Sequence, residues 1–374
     1  MAEAVKEKKK LSKGKKALVV ILGIIVFIAL ASVIFINITT MPKRDTEKNL
    51  IPVGGMVYSD TIEYKCDSSK GIRHNPVIRI MQMVWRFCAN GDAKVHSTQT
   101  PPKNIEKKKS IPYIDDGNMY HKLDVFYPKG TEKQKLPVII DIHGGGWMYG
   151  DKDLNEYYCL ELASKGYCVF SVSYRLVPDV TVNEQLQDVA EALLWIRSNM
   201  PAYPGDLGKV MLTGDSAGGQ IAAYEAAFLT SPELRDTFRV VDAGLKVHAL
   251  VLTSPVAYMK DGGAFSVYTK IQWGKDYKKK ETYEYMDLDK ILEYTSLPPT
   301  YLITSDGDAL AHDQTHRASE LLAQKGIKYE IVNFGNDENG KALPHVFSIL
   351  DPFGKSGQEA IDGSLEFFKS VTTK

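Results

Sequence analysis

Residues Lys209 to Gln220 read KVMLTGDSAGGQ, an apolar strand that runs into Gly-x-Ser-x-Gly and then into a helix-like segment. A serine nucleophile must stand on a tight strand-to-helix turn, where only small residues fit two positions before and two positions after it. Both positions around Ser216 are glycine, Gly214 and Gly218. The stretch therefore predicts a nucleophilic serine. The alternative is a glycine-rich loop that caps a helix through Ser216.

A second glycine-rich motif also follows an apolar stretch. Residues 138–142 read as a buried strand, which ends in His143-Gly144-Gly145-Gly146-Trp147. Three glycines after a buried strand let backbone N–H groups approach a substrate oxygen, as an oxyanion hole requires. We expect the amides of Gly145, Gly146 and Ala217 to be the donors. A flexible loop is the alternative.

Predicted strands and helices alternate along the C-terminal part of the chain. They indicate one α/β domain over residues 111–374, with a mainly parallel central sheet flanked by helices. The predicted strands are 123–127, 138–142, 167–174, 209–213, 249–254, 301–304 and 328–333, and the predicted helices include 156–165 and 183–200. A chain of 374 residues that is 44% hydrophobic can bury a core of this size.

Residues 256–297 are too long for a simple connection between two strands. We expect a lid or a wall of an acyl pocket here, with surface packing of the aromatic side chains as the alternative. The formal net charge of +0 and an exported domain argue against nucleic acid as a partner. The segment combines lysines with many aromatic residues: Tyr258, Phe265, Tyr268, Trp273, Tyr277, Tyr283, Tyr285 and Tyr294.

The first forty residues predict a membrane segment. Seven lysines within residues 1–16 precede an uncharged run over residues 17–36. Twenty residues at about 1.5 Å each span a hydrocarbon core of about 30 Å. The basic flank places residues 1–16 in the cytoplasm and the catalytic part outside. We prefer an uncleaved anchor, because the run is longer than a usual signal core; a signal peptide cleaved near Ala29-Leu30-Ala31 is the alternative.

Residues 37–110 are expected to form a linker and an N-terminal cap region. Between Pro76 and Cys88, apolar residues fall at helical spacing on one face. We favour a helix packed on the main domain; a cap over an acyl pocket or a lipid-touching surface is the alternative. Residues 103–109 read as a solvated basic linker. Four cysteines are too few and too scattered for a disulfide framework or a metal site, and a pair between the first two stays open: Cys66, Cys88, Cys159 and Cys168.

A serine nucleophile on such a sheet takes first its acid and then its histidine from further along the chain. His345 lies in a loop after the strand 328–333, from which it can reach over the sheet, so it is the expected base. His248, His312 and His316 come too early or too near the acid. The acid is expected in the loop after strand 301–304, where three residues are candidates: Asp306, Asp308 and Asp313.

Four motifs, in order and at similar spacing, resemble the hormone-sensitive-lipase-like branch of the α/β-hydrolases, which includes bacterial esterases and the membrane-anchored arylacetamide deacetylase type. They are HGGGW (143–147), YRLVPD (174–179), GDSAGG (214–219) and DAL (308–310). The resemblance implies that Asp308 is the acid. Ala309 stands where the family usually has proline, and Asp179 where it has glutamate, which keeps Asp306 as an alternative. Supporting roles are implied for His143, Gly144, Gly214, Asp215 and Gly218.

The resemblance implies a serine carboxylic ester hydrolase that acts on small to medium acyl esters and needs no metal or organic cofactor. Two alternatives are kept beside it. One is a deacetylase of acetylated glycans or peptidoglycan at the cell surface, and the other is a catalytically idle binding module on the hydrolase fold.

Overall fold

A sheet of eight strands organises the chain from residue 105 onward in the computed structural model, which describes residues 13–40, 76–260, 269–274 and 276–373. The strands are β1 (Ile105–Pro112), β2 (Lys122–Pro128), β3 (Leu136–Ile142), β4 (Cys168–Val172), β5 (Gly205–Asp215), β6 (Ala249–Thr253), β7 (Thr300–Ser305) and β8 (Tyr329–Phe334). Their spatial order is β1-β2-β4-β3-β5-β6-β7-β8. β2 is antiparallel to β1 and β4, and all pairs from β4 to β8 are parallel. The predicted mainly parallel sheet is confirmed.

The described residues form eleven α-helices, and those that follow β1 in the chain cover both faces of the sheet. The eleven helices are α1 (Lys13–Thr40), α2 (Pro76–His96), α3 (Glu156–Ser164), α4 (Val182–Asn199), α5 (Ser216–Phe228), α6 (Pro232–Phe238), α7 (Thr269–Trp273), α8 (Leu288–Ile291), α9 (His312–Gln324), α10 (Phe347–Leu350) and α11 (Lys355–Thr372). Because side chains alternate along a strand, neighbouring β3 residues face opposite layers. Ile140 packs in the cluster with α4 and α5, and Ile139 packs in the cluster with α3 and α11.

The chain divides into two compact units, of which α1 belongs to the first and the other described elements to the second. Within α1, residues 13–35 are exposed and are long and apolar enough to cross a membrane. A signal sequence has the same properties, so length and composition do not separate the two interpretations. Cys66, together with Phe265 and Tyr268 of the aromatic segment, lies outside the described residues.

Residues 103–109 differ from the predicted linker, because most of them belong to β1, an edge strand paired with β2. The lysines in this range favour a linker when composition alone is considered. Charged side chains are typical of edge strands, where they oppose pairing with another chain. Lys109 also has partners within the fold, since its ammonium group forms ion pairs with Asp124 and Glu156 at 2.7 and 2.9 Å.

Helix α2 packs on the main domain, as favoured from the sequence, and Met81 and Trp85 of the predicted apolar face lie against the core. Val84 also falls on the apolar face predicted between Pro76 and Cys88, but it is 46% exposed. The helix continues past Cys88 to His96, and the additional turns bury Ala93 and His96 instead. Burial therefore follows the longer helix, whose inward stripe runs through Trp85.

In the segment 256–297, three of the six described aromatic side chains are part of the core. Tyr258, Trp273 and Tyr285 are buried in the cluster with α4, α5 and α6. Tyr294 is 36% exposed. The buried residues pack in the core and not on the surface as the alternative expected, and a lid role for the segment stays a prediction.

Candidate active site

Ser216 stands at the junction of β5 and α5 with a φ of 51°, in the left-handed region that L-residues rarely adopt. The turn brings backbones into close contact. A Cβ on Gly218 would lie 2.1 Å from the carbonyl oxygen of Ile142, and one on Gly214 would lie 2.4 Å from that of Gly218. Only glycine fits either position. The hydroxyl of Ser216 is thus held at the carboxyl edge of the sheet, at the N-terminus of α5.

His345 and Asp308 lie beside this serine although they are distant in sequence. Ser216 Oγ is 2.9 Å from His345 Nε2, and His345 Nδ1 is 2.9 Å from Asp308 Oδ1. The Ser305 hydroxyl donates a 2.8 Å hydrogen bond to the carbonyl of Leu343, which ties the His345 loop to the end of β7. The structure thus brings together the three residues predicted as nucleophile, base and acid.

The Asp308 carboxylate is buried, and its Oδ1 accepts several hydrogen bonds. The backbone amides of Leu310 and Ala311 donate to Oδ1 at 3.0 and 2.9 Å. Burial raises the pKa of Asp308, but the hydrogen bond and charge of His345 and the other donors outweigh it, so the pKa lies below its ordinary value. The side chain is therefore ionised at neutral pH and can orient and stabilise a protonated imidazole.

The other candidates for acid and base lie elsewhere. Asp306 is exposed and accepts a hydrogen bond from Asn333, and the side chain of Asp313 is fully exposed. His312 and His316 pack against each other on α9 with ring centroids 4.5 Å apart. His248 accepts a hydrogen bond from the Val210 amide at a 3.1 Å separation.

The predicted oxyanion loop borders the same cleft as Ser216. Gly145 and Gly146 line this cleft with φ values of 101° and 56°. Ala217 directly follows Ser216 in the first turn of α5 and is buried. The Gly144 amide donates a 2.9 Å hydrogen bond to Asp215 Oδ1, which joins the loop to the nucleophile turn. Burial raises the pKa of Asp215.

His143 supports the glycine loop through its contacts with Tyr174. Its ring stacks on Tyr174 at a centroid distance of 4.4 Å, and the Tyr174 hydroxyl donates to the His143 carbonyl at 2.7 Å. Complete burial lowers the pKa of His143 to about 4. The imidazole is therefore neutral at physiological pH. It supports the loop, and we expect it to exchange no proton during turnover.

One side of the cleft comes from α2 and was missed by the motifs. Trp85 stacks on Tyr149 with ring centroids 5.5 Å apart, and the Tyr149 hydroxyl donates a 2.8 Å hydrogen bond to Asp92 Oδ2. We call Trp85, Asp92 and Tyr149 the Trp85 cluster. Extending the helical pattern past Asn90-Gly91 would have placed Asp92 on the inward face.

The cleft itself is narrow. Its cavity volume is about 60 Å³, small beside the roughly 300–1,000 Å³ typical of ligand sites. Apolar side chains form much of the lining: Trp85, Leu154, Leu310, Val346, Ile349 and Leu350. Within the described ranges, no group of three or more His, Cys, Asp or Glu side chains is placed to hold a metal ion.

A family model, BD-FAE, matches residues 123–314, just over half of the 374 residues. The chain belongs to the BD-FAE family. It is an α/β-hydrolase of the hormone-sensitive-lipase-like branch, as its motifs predicted. Because the matched range includes β3, the serine turn and Asp308, the family assignment covers most of the site. His345 lies beyond it.

Curated relatives and solved structures carry esterase names. Probable carboxylesterase 6 of Arabidopsis thaliana is 36% identical over 141 residues, which cover 35% of this chain and 40% of that protein. The isoprenylcysteine alpha-carbonyl methylesterase of the same plant is 24% identical over 68% of this chain and 60% of its own length. The chain thus spans less than two thirds of the length of these two relatives. Esterase B from Lactobacillus Rhamnosis aligns with a TM-score of 0.74 and 28% identity, over 79% of this chain and 95% of that structure. Together they support the carboxylic ester hydrolase class.

Proposed function

We propose that this protein is a serine carboxylic ester hydrolase in which Ser216 is the nucleophile, His345 the general base and Asp308 the orienting acid. One observation carries the proposal: two hydrogen bonds of 2.9 Å run from Ser216 Oγ through the imidazole to a buried carboxylate. A non-catalytic module has no need for a strained serine and a buried, ionised acid held in this relation.

The geometry suits acyl transfer. Ser216 Oγ attacks the ester carbonyl while His345 Nε2 accepts its proton, and the Nδ1–H hydrogen bond to Asp308 keeps the other tautomer from forming. The amides of Gly145, Gly146 and Ala217 would stabilise the tetrahedral oxyanion, at about 3 kcal/mol for each well-placed donor. His345 then protonates the leaving alcohol. Water attacks the acyl-enzyme by the same route in reverse.

The narrow, mainly apolar cleft favours small to medium acyl groups. A cavity of about 60 Å³ leaves room for a few carbon atoms beside the reacting carbonyl. Butyryl esters should therefore react faster than palmitoyl esters, since a long chain would need the cleft walls to separate. Acetyl groups on glycans or peptidoglycan are a second substrate class that such a cleft would admit.

Our proposal for the cellular location of the protein is based on α1 and the residues before it. The lysines before residue 17 and the apolar span of residues 13–35 support an anchor with a cytoplasmic N-terminus and an extracytoplasmic catalytic unit. Secretion after cleavage is the alternative. The mass of the mature protein distinguishes the two: an anchored protein has the full mass in the membrane fraction, and a cleaved protein has a smaller mass in the medium.

The test is hydrolysis of p-nitrophenyl esters from acetate to palmitate by the full chain in detergent, beside its Ser216→Ala variant. We expect a maximum at short chains and a loss of about 10⁴-fold or more in the variant, with unchanged urea unfolding. Turnover that survives the substitution would reject the triad. Inactivity of the unaltered protein on every simple ester, followed by activity on acetylated glycans, would transfer the same mechanism to the second substrate class.

A further inference from the structure

Asp92 is a carboxyl group in the catalytic cleft that the ester mechanism does not use. It lies on the inward face of α2 and borders the cleft together with Ser216 and His345. Tyr149 donates a hydrogen bond to Oδ2 at 2.8 Å, and among the described residues no other group donates to this side chain. The second carboxylate oxygen therefore keeps its capacity to meet a ligand.

Two histidines, His96 and His345, are the basic side chains among the described residues that line the cleft. None of the described lining residues is lysine or arginine. Burial lowers the pKa of His96, the histidine of the lining that is outside the triad, to about 4, so it is neutral. Burial raises the pKa of Asp92 to about 6 and the charge of Asp215 adds to this, whereas the Tyr149 hydrogen bond and His345 act in the opposite direction. At neutral pH, Asp92 is therefore mostly ionised.

This charge has a consequence for catalysis. Ester hydrolysis develops a negative oxyanion at the amides of Gly145 and Gly146, in the same small cleft as Asp92. Two like charges in a partly desolvated site repel each other and raise the barrier. A substrate that brings its own positive charge removes the penalty. The aromatic rings of Trp85 and Tyr149 beside the carboxylate add the environment in which proteins bind ammonium groups.

We propose that the Trp85 cluster forms a subsite for a positively charged nitrogen, and that the favoured substrates are esters with an ammonium group in their acyl or alcohol part. This rests on the proposed esterase function. It adds a substrate class that the triad and oxyanion loop do not specify.

The experiment compares matched esters on the full chain in detergent. Choline butyrate is paired with its uncharged carbon isostere, 3,3-dimethylbutyl butyrate, and the p-nitrophenyl ester of 4-(trimethylammonio)butyrate with that of 5,5-dimethylhexanoate. In at least one pair, we expect kcat/KM to be about tenfold higher for the cation at pH 7.5. Asp92→Asn should remove this preference by slowing the cation and accelerating the isostere. Asp115→Asn, an exposed carboxylate outside the cleft, is the control.

The ratio within a pair also has a predicted pH dependence, because effects common to both esters cancel in the ratio. The preference should fall as pH decreases through about 6, where Asp92 takes up its proton. Besides Asp92, the titratable groups that face it are Cys88, His96, Tyr149, Asp215 and His345. Tyr149→Phe removes a hydrogen bond that lowers the pKa of Asp92, so the midpoint should move to higher pH. In Asp92→Asn the ratio should not change with pH.

Ratios near one in both pairs, unchanged by Asp92→Asn and by pH, would overturn the subsite while leaving the esterase proposal intact. If neither member of either pair is hydrolysed and Ser216→Ala changes nothing, the esterase proposal itself fails. Should Asp92→Asn not fold, the midpoint in Tyr149→Phe decides alone: a shift upward supports the subsite, and an unshifted profile rejects it.

Discussion

The two sides of the catalytic cleft differ in how strictly the backbone fixes their residues. On the serine side, Ser216 has a φ of 51° and a Cβ on Gly218 would meet backbone atoms at 2.1 Å, so few residue types are possible. On the α2 side, Trp85 and Asp92 extend from an ordinary helix, whose backbone would accept many side chains. In our proposal, the serine side carries out the chemistry and the α2 side sets the choice of substrate.

The comparison implies that substitutions on the two sides change different quantities. Loss of a group on the serine side should lower kcat for every ester alike, because the reacting atoms are common to all of them. Loss of a group on the α2 side should change the ratio between esters. The predictions below test this division, beginning with the group that should matter most.

Asp308→Asn should lower kcat about 10³- to 10⁴-fold for short and medium p-nitrophenyl esters alike, because the amide favours the wrong imidazole tautomer. Asp306→Asn is the matched control, since this residue is exposed, lies two positions away and has its own partner in Asn333. It should remain within about twofold of the unaltered protein. A larger loss in Asp306→Asn than in Asp308→Asn would exchange their roles.

Gly146→Ala tests the contact between the two sides of the cleft, because Gly146 of the oxyanion loop lies against Trp85 of α2. A Cβ at this position would lie 2.3 Å from the Trp85 ring, so either the ring or the oxyanion loop must move. We expect kcat/KM to fall about 10- to 100-fold, because oxyanion donors lose effect steeply with displacement. Trp85→Ala should relieve part of this loss, and a double-mutant cycle measures how much.

The control for that substitution is Gly130→Ala. Gly130 also has a positive φ, 82°, but open space around its Cβ position. It reports the cost of the backbone conformation alone and should leave kcat/KM nearly unchanged. If Trp85→Ala and Gly146→Ala act additively, the contact between helix and loop does not limit the oxyanion donors.

The sequence predicts the serine side well for a physical reason. Close backbone contacts require glycine, and a strained turn requires a fixed order of strand, serine and helix. Both requirements can therefore be recognised as particular residue types at fixed positions in the sequence. Parallel strands also place the ends of β5, β7 and β8 at one edge, which brings the loops of Asp308 and His345 together. That is why three distant residues could be assigned from their positions and a resemblance.

The α2 side was predicted only in part, because its contacts depend on where one helix packs. The apolar spacing that included Trp85 indicated a packed helix, but Val84, on the same predicted face, is exposed. Asp92 has no sequence signature, since a carboxylate on a helix is usually solvated. The edge strand β1 was missed for a similar reason: its lysines resemble those of a linker until their partners on α3 are known.

Asp92 also gives the smallest prediction, on stability. Its pKa is raised to about 6, mainly by burial, above the roughly 3.9 of an unfolded aspartate. Between these values the folded chain binds more protons than the unfolded chain, so its free energy of unfolding falls as pH rises through this window. In Asp92→Asn the carboxyl group is absent, so this decrease in the free energy of unfolding does not occur. The variant should match the unaltered protein near pH 4 and exceed it above pH 6 by on the order of 2 kcal/mol.

Urea unfolding of the full chain at pH 4 to 8 measures the difference, with the exposed Asp115→Asn as reference. A difference that is constant across this range would mean that Asp92 titrates normally, and its charge would then need no special substrate. A difference that grows as expected would mean that the fold keeps a destabilising carboxylate beside its nucleophile. In our proposal, a half-buried charge that lowers stability and has no role in the triad is kept for the ligand that it binds, and the α2 side would then differ from the serine side in function as well as in geometry.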